Sequence, residues 1–195
     1  MVRRHRQARP PHVPRRAFRP GALSAHKSLP RDLRRDRRIR QHGCWDHLVV
    51  APLWVAYQAN LGTLLRTCDA VGACIAVPDT AHYKAALAVG DTLGGRRRPC
   101  IHRIRTGKQR WIDERREDGW RIVAVELADD ATPLPRLEPA RQRTVVLLGH
   151  ERDGVPDDVV TRADECVQIP MVGRGASLNV AVAGSLVLYR LAGLS

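Results

Sequence analysis

The run Thr144-Val145-Val146-Leu147-Leu148 constrains this chain more than any other feature. Four large apolar residues in succession leave neither face of a strand for water, so a strand here must be covered on both sides. Sheets covered on both sides are mainly parallel and carry helices against each face. The rest of the sequence has the alternation such a sheet needs. Residues 47–52, 74–78, 101–104, 121–127 and 166–171 are further short strand-like runs. Between them, Leu61, Leu64, Leu65, Cys68 and Val71 recur at the helical period over 60–71. A weaker helix is expected over 82–89 and a charged surface helix over 106–118, and Pro156 opens a short one. Gly94-Gly95 breaks the chain, and the prolines at 133, 135 and 139 mark 129–142 as a loop. The last segment, 178–191, is apolar all round, as a buried or interface helix would be. The expected class is α/β: a mainly parallel sheet flanked by helices.

Charge divides the chain in two. Of 33 Lys+Arg and 20 Asp+Glu, residues 1–42 hold thirteen arginines and Lys27 against only Asp32 and Asp36. That segment has five prolines by residue 30 and few large apolar groups, so it cannot offset its ordering entropy and is expected to be a disordered tail. A polybasic arm favours a polyanion, most often nucleic acid, by releasing condensed counterions. A merely solvated tail is the alternative. A mitochondrial presequence fits poorly, because Pro10, Pro11, Pro14 and Pro20 would break its amphipathic helix. Residues 43–195 are nearly neutral and suit one domain. No apolar run approaches the ~20 residues of a membrane span. The five cysteines, at 44, 68, 74, 100 and 166, include no C-x-x-C pair. A reducing, cytoplasmic setting is expected, and Cys68 and Cys166 read as small core residues. The eight histidines lack metal-ligand spacing, so no metal is expected.

Three stretches carry candidate chemistry. Asn60-Leu61-Gly62-Thr63-Leu64-Leu65-Arg66 opens the first helix. Asn60 suits the N-cap, and Arg66 sits among apolar neighbours where a guanidinium needs a reason to be, either a ligand or a partner such as Asp69. Gly149-His150-Glu151-Arg152-Asp153-Gly154 follows the doubly buried strand, at the end where parallel sheets bind ligands. Glu151 is placed to hold a ligand or to orient Asn60 or Arg66; a solvated turn is the plainer alternative. The third stretch is Ile169-Pro170-Met171-Val172-Gly173-Arg174-Gly175, followed by Ser177-Leu178-Asn179. It is not a dinucleotide loop, for it lacks a third glycine at the required offset and no acidic residue follows Glu165. It is not a serine-hydrolase elbow either, lacking the second glycine. Ser177 suits the helix N-cap, with Asn179 in the first turn.

In this order, N-x-G-x-x-x-R, L-G-x-E-x-x-G-[VIL] and I-P-M-x-G-x-x-x-S-L-N-V-x-V-A, the chain resembles the SpoU (TrmH-like) family of RNA ribose 2′-O-methyltransferases of the SPOUT class, over roughly residues 44–195. The resemblance implies a deep trefoil knot near the C-terminus and a homodimer through the knot helices. It implies S-adenosylmethionine as methyl donor, lined by Leu127, Gly149, Ile169, Met171 and Leu178, and tRNA or rRNA as substrate. It matches Arg66 to the family arginine proposed to activate the hydroxyl, and Asn60, Glu151, Ser177 and Asn179 to the other site positions; the roles preferred here are stabilising the forming alkoxide for Arg66, and positioning Arg66, the ribose and the donor for the other four. Ala181 departs from the serine common in the family at that position. Two rival readings remain: a base-methylating SPOUT enzyme, and a non-catalytic RNA-binding protein on the same fold.

Overall fold

The computed structural model describes residues 47–90, 100–175 and 177–194. The expected tail, Cys44 and the Gly94-Gly95 break lie outside them. The strands are β1 (Leu48–Ala51), β2 (Cys74–Pro78), β3 (Ile101–Ile104), β4 (Arg121–Val125), β5 (Thr132–Pro133), β6 (Thr144–Leu148) and β7 (Glu165–Gln168). They form one sheet in the order β3-β2-β1-β6-β4-β7-β5, and every pairing is parallel. The helices are α1 (Gln58–Val71), α2 (Ala81–Gly90), α3 (Lys108–Glu117), α4 (Asp157–Val160) and α5 (Val180–Leu191).

The side-chain alternation of β6 divides the interior into two cores. Val146 and Leu148 face α1, α2 and α5 through Leu61, Leu64, Leu65, Leu87, Val187 and Leu188. Val145 and Leu147 face α3 and α4 through Trp111, Ile112 and Val159. All five residues of β6 are buried, as a strand covered on both faces requires. Helix α1 stops at Gly72, whose φ of 76° lets its N–H reach back to the Cys68 carbonyl.

Two expectations need correction. Residues 129–142 are not all loop: Thr132–Pro133 pairs with β7, and Leu134–Arg136 forms a 3-10 turn. The proline-rich composition hid an edge strand, where a missing N–H costs little. The last strand ends at Gln168, so Ile169 and Met171 lie beyond it. Helix α5 buries Ala181, Gly184, Val187, Leu188 and Leu191 and leaves Val182, Leu186 and Tyr189 40–47% exposed.

Close packing of α5 brings the C-terminal motif to the first one. A methyl group at Gly184 would lie 2.6 Å from Leu148 Cδ1 and 2.9 Å from Leu64 Cδ2, so α5 packs closely on β6 and α1 there and a side chain would require those leucines to shift. One turn further along, the hydroxyls of Thr67 and Ser185 meet at 2.8 Å. Residues 119 positions apart therefore come within hydrogen-bond reach at the start of α5.

Candidate active site

Beyond the carboxyl ends of β4, β6 and β7 lies a cavity of about 400 Å³. Parallel sheets bind ligands at this end, and the size suits a small organic molecule. All five residues assigned to the donor, Leu127, Gly149, Ile169, Met171 and Leu178, line it, as do Glu151 and Ser177. Leu127, Met171 and Leu178 are 62%, 37% and 41% exposed, an apolar lip that a ligand would cover. Asn60, Arg66 and Asn179 are not in the lining.

Two of these three are tied to the cavity through Glu151. Its carboxylate accepts from the N–H of Ala56 at 3.0 Å, the N–H of Tyr57 at 3.1 Å and the Asn60 amide at 2.7 Å. The Asn60 carbonyl oxygen in turn accepts from the Asn179 amide at 2.9 Å. The Asn179 oxygen accepts from the N–H groups of Ala181 and Val182 at 2.9 and 3.2 Å. One chain of hydrogen bonds thus joins all three motifs. Burial alone would raise the Glu151 carboxyl, but the donors from Ala56, Tyr57 and Asn60 outweigh it and hold the group below the ordinary carboxylate value. Glu151 is ionised at neutral pH and serves as an anchor, not a general acid.

The network settles two capping assignments. Asn60 lies near the N-cap of α1 and not at it: that position is Tyr57, and Asn60 is buried in the first turn with both ends of its amide engaged. Ser177 is not the cap of α5. Asn179 is, since its side chain satisfies two free N–H groups there. Asn179 is held there by Asn60, 119 positions away, which local sequence does not contain. Arg66 is exposed on α1 and not embedded among the apolar side chains beside it in sequence.

Glu126 is a cavity residue that the motifs do not reveal. It follows β4, and its carboxylate accepts from the N–H of Leu127 and the N–H of Val155, each at 3.0 Å. It therefore clamps the 149–155 loop to the end of β4. The loop itself closes by paired backbone bonds of 2.9 Å between His150 and Gly154. Gly154 has a φ of 68° and is crowded by the Glu126 side chain, so it must be glycine. A side chain on Gly149 would run into the backbone of Gly154 and Val155. Gly149→Ala is expected to cost about 1–3 kcal/mol, because neither side of the contact can rotate away. Urea unfolding checks this, and an unchanged midpoint would mean that the loop can open at no cost.

The cavity's apolar lip, backbone groups and two carboxylates suit holding and orienting a ligand. The family model for the SpoU rRNA methylase family matches residues 47–189. The chain belongs to this family.

Among SpoU relatives, a tRNA (guanosine(18)-2′-O)-methyltransferase of Aquifex aeolicus is 32% identical over 162 residues, which is 83% of this chain and 75% of that protein. One from Thermus thermophilus is 33% identical over 142 residues, 67% of this chain and 66% of that protein. A mouse protein of the same activity is 26% identical, and the chain spans only 10% of its length. Solved SpoU structures share the fold. The A. aeolicus TrmH/SpoU tRNA modifying enzyme has a TM-score of 0.64 at 25% identity, covering 83% of each chain. An AdoMet-bound rRNA methyltransferase from Sinorhizobium meliloti has a TM-score of 0.62 at 27% identity, covering 77% of this chain and 56% of that one.

Proposed function

We propose that this protein transfers a methyl group from S-adenosylmethionine to a ribose 2′-hydroxyl of tRNA or rRNA. The observation that carries the reading is that one cavity is lined by all five residues the resemblance assigns to the donor, with Glu151 joining it to Asn60 and Asn179. The named relatives methylate a tRNA 2′-hydroxyl, and the S. meliloti relative binds AdoMet.

In the reaction, the ribose oxygen attacks the donor's methyl carbon as the carbon–sulfur bond breaks, and the hydroxyl proton leaves. Holding oxygen, carbon and sulfur in line removes much of the barrier. Arg66 is not the base in this reading. Its part is to stabilise the developing alkoxide and to hold a neighbouring phosphate. A phosphate or water takes the proton. The Glu151–Asn60–Asn179 network fixes the first turn of α1, which is the helix that carries Arg66. Ser177 and Asn179 position the donor's methionine end.

The reading includes a homodimer. Val182, Leu186 and Tyr189 recur at helical spacing along the exposed side of α5, an apolar stripe suited to a second copy. It also includes the trefoil knot. The chain end is held against 135–140 by the Arg190 guanidinium on the Leu137 and Pro135 carbonyls and by the Ala140 N–H on the Leu191 carbonyl. A cytoplasmic setting and an RNA-binding role for the basic segment 1–42 complete it. Deleting 1–42 is expected to weaken RNA affinity and flatten its salt dependence. A salt slope that does not move would remove the segment from RNA binding.

The deciding experiment is transfer from labelled S-adenosylmethionine into tRNA and into ribosomal RNA, followed by nuclease digestion and nucleoside mass spectrometry. A 2′-O-methylnucleoside is expected. A methylated base would place the protein in another SPOUT branch, and absence of both transfer and donor binding would favour a non-catalytic RNA-binding protein.

A further inference from the structure

We infer that Cys74, Cys100 and His102 form a binding site for one divalent cation of zinc type, at the end of the sheet opposite the donor cavity. Cys74 opens β2, and Cys100 immediately precedes the edge strand β3. The Ile75 N–H donates to the Cys100 carbonyl at 3.0 Å, and Ile75 pairs with Ile101, which sets Cys74 beside Cys100. His102 is two residues further along β3, so period-two alternation puts it on the same face as Cys100. One atom from each of the three lies within 4.8 Å of the others. Cys100 Sγ and His102 Nε2 lie 3.5 Å apart. Two ligands at ~2.3 Å (sulfur) and ~2.0–2.1 Å (nitrogen) from a tetrahedral ion would sit about 3.6 Å apart, so this pair already has ligand spacing.

The chemistry of the set selects the ion. Two thiols and an imidazole are borderline-soft donors, which suit zinc and not calcium or magnesium. Binding would release both thiol protons to solvent, and the two thiolates would neutralise the ion's charge. Cys74 is fully buried, whereas Cys100 and His102 are half-buried, so an ion could enter from their side and keep water as a fourth ligand. Cys68 is not part of the set. It belongs to the opposite core, and its thiol is directed at the Cys74 carbonyl at 3.6 Å. Among the described residues strand β3 has only β2 as a neighbour, so the ion would staple the sheet's edge. The donor cavity is built on β4, β6 and β7, at the other ends of the strands. The site therefore stands or falls independently of the methyl-transfer reading.

The test uses the full chain, stripped with a chelator under reducing conditions and titrated with Zn²⁺ and with Co²⁺ as a spectroscopic probe. About one ion per chain is expected. Cobalt should give a thiolate charge-transfer band and the visible absorption of a tetrahedral site. Cys100→Ser and His102→Ala should each weaken binding by more than the roughly 10-fold minimum that loss of even an outer-shell partner costs. Cys166→Ser should leave it unchanged. Zinc should raise the unfolding temperature of the native chain and not that of Cys100→Ser, a readout that does not depend on activity. The proposal is overturned if Cys100→Ser keeps the native cobalt spectrum, or if the stripped chain takes up no ion. It is equally overturned if the chain, purified without reductant, is lighter by two hydrogens with Cys74 joined to Cys100, for the pair would then be a redox couple.

Discussion

Asn60→Asp is expected to destabilise the protein by about 2–4 kcal/mol at pH 8, although it exchanges only an amide nitrogen for an oxygen. The native amide donates to Glu151 at 2.7 Å from a position only 7% exposed. The replacement sets a second carboxylate at that distance with no proton between them. The pH dependence identifies the cause. In the native chain the Glu151 carboxyl is held below its ordinary value. Its contribution to stability is therefore present above the unfolded carboxylate pKa, about 4.3, and is lost as pH falls through the lower folded value. In the variant, one carboxyl of the pair has a raised folded pKa. Its contribution is present at low pH and is lost as pH rises through that raised value. The stability gap between native and variant chains must therefore widen from about pH 4 to pH 8. Urea unfolding across this range measures it, and a gap independent of pH would mean that the two side chains do not share a site.

Arg66→Ala is expected to lower methyl transfer by about 10²–10³-fold, the loss typical of removing one preorganised group that stabilises developing negative charge. Arg66 is exposed on α1 and does not line the donor cavity. Donor affinity should be unchanged, and folding stability should shift by no more than about 0.5 kcal/mol. Arg66→Lys keeps the charge but loses the planar fork, so it should recover only part of the rate. Single-turnover transfer and equilibrium donor binding, measured on the same preparations, separate the roles. Native turnover in Arg66→Ala would remove Arg66 from the mechanism, and a parallel loss of donor binding would make it a structural residue.

Helix α1 and the strands around β6 were legible because burial writes a period into the chain. The Val-Val-Leu-Leu run required two covered faces, and the two cores on Val146/Leu148 and Val145/Leu147 are those faces. The edge strand at Thr132–Pro133 was illegible, because it is two residues long and takes its meaning from β7 alone. Glu126 was equally hidden. A single carboxylate after a strand has no local signature, and its function lies in the Val155 N–H, 29 residues away.

The sequence by itself determined the parallel α/β class and the three motifs, because each rests on residue types at short, fixed spacing. Only the tertiary structure decided that Asn179 and not Ser177 caps α5, that Glu151, Asn60 and Asn179 form one network, and that Cys74 meets Cys100 and His102. The network and the Cys74 contacts join residues 26 to 119 positions apart. Sheet order and the approach of α5 at Gly184 create them, and no local pattern records either.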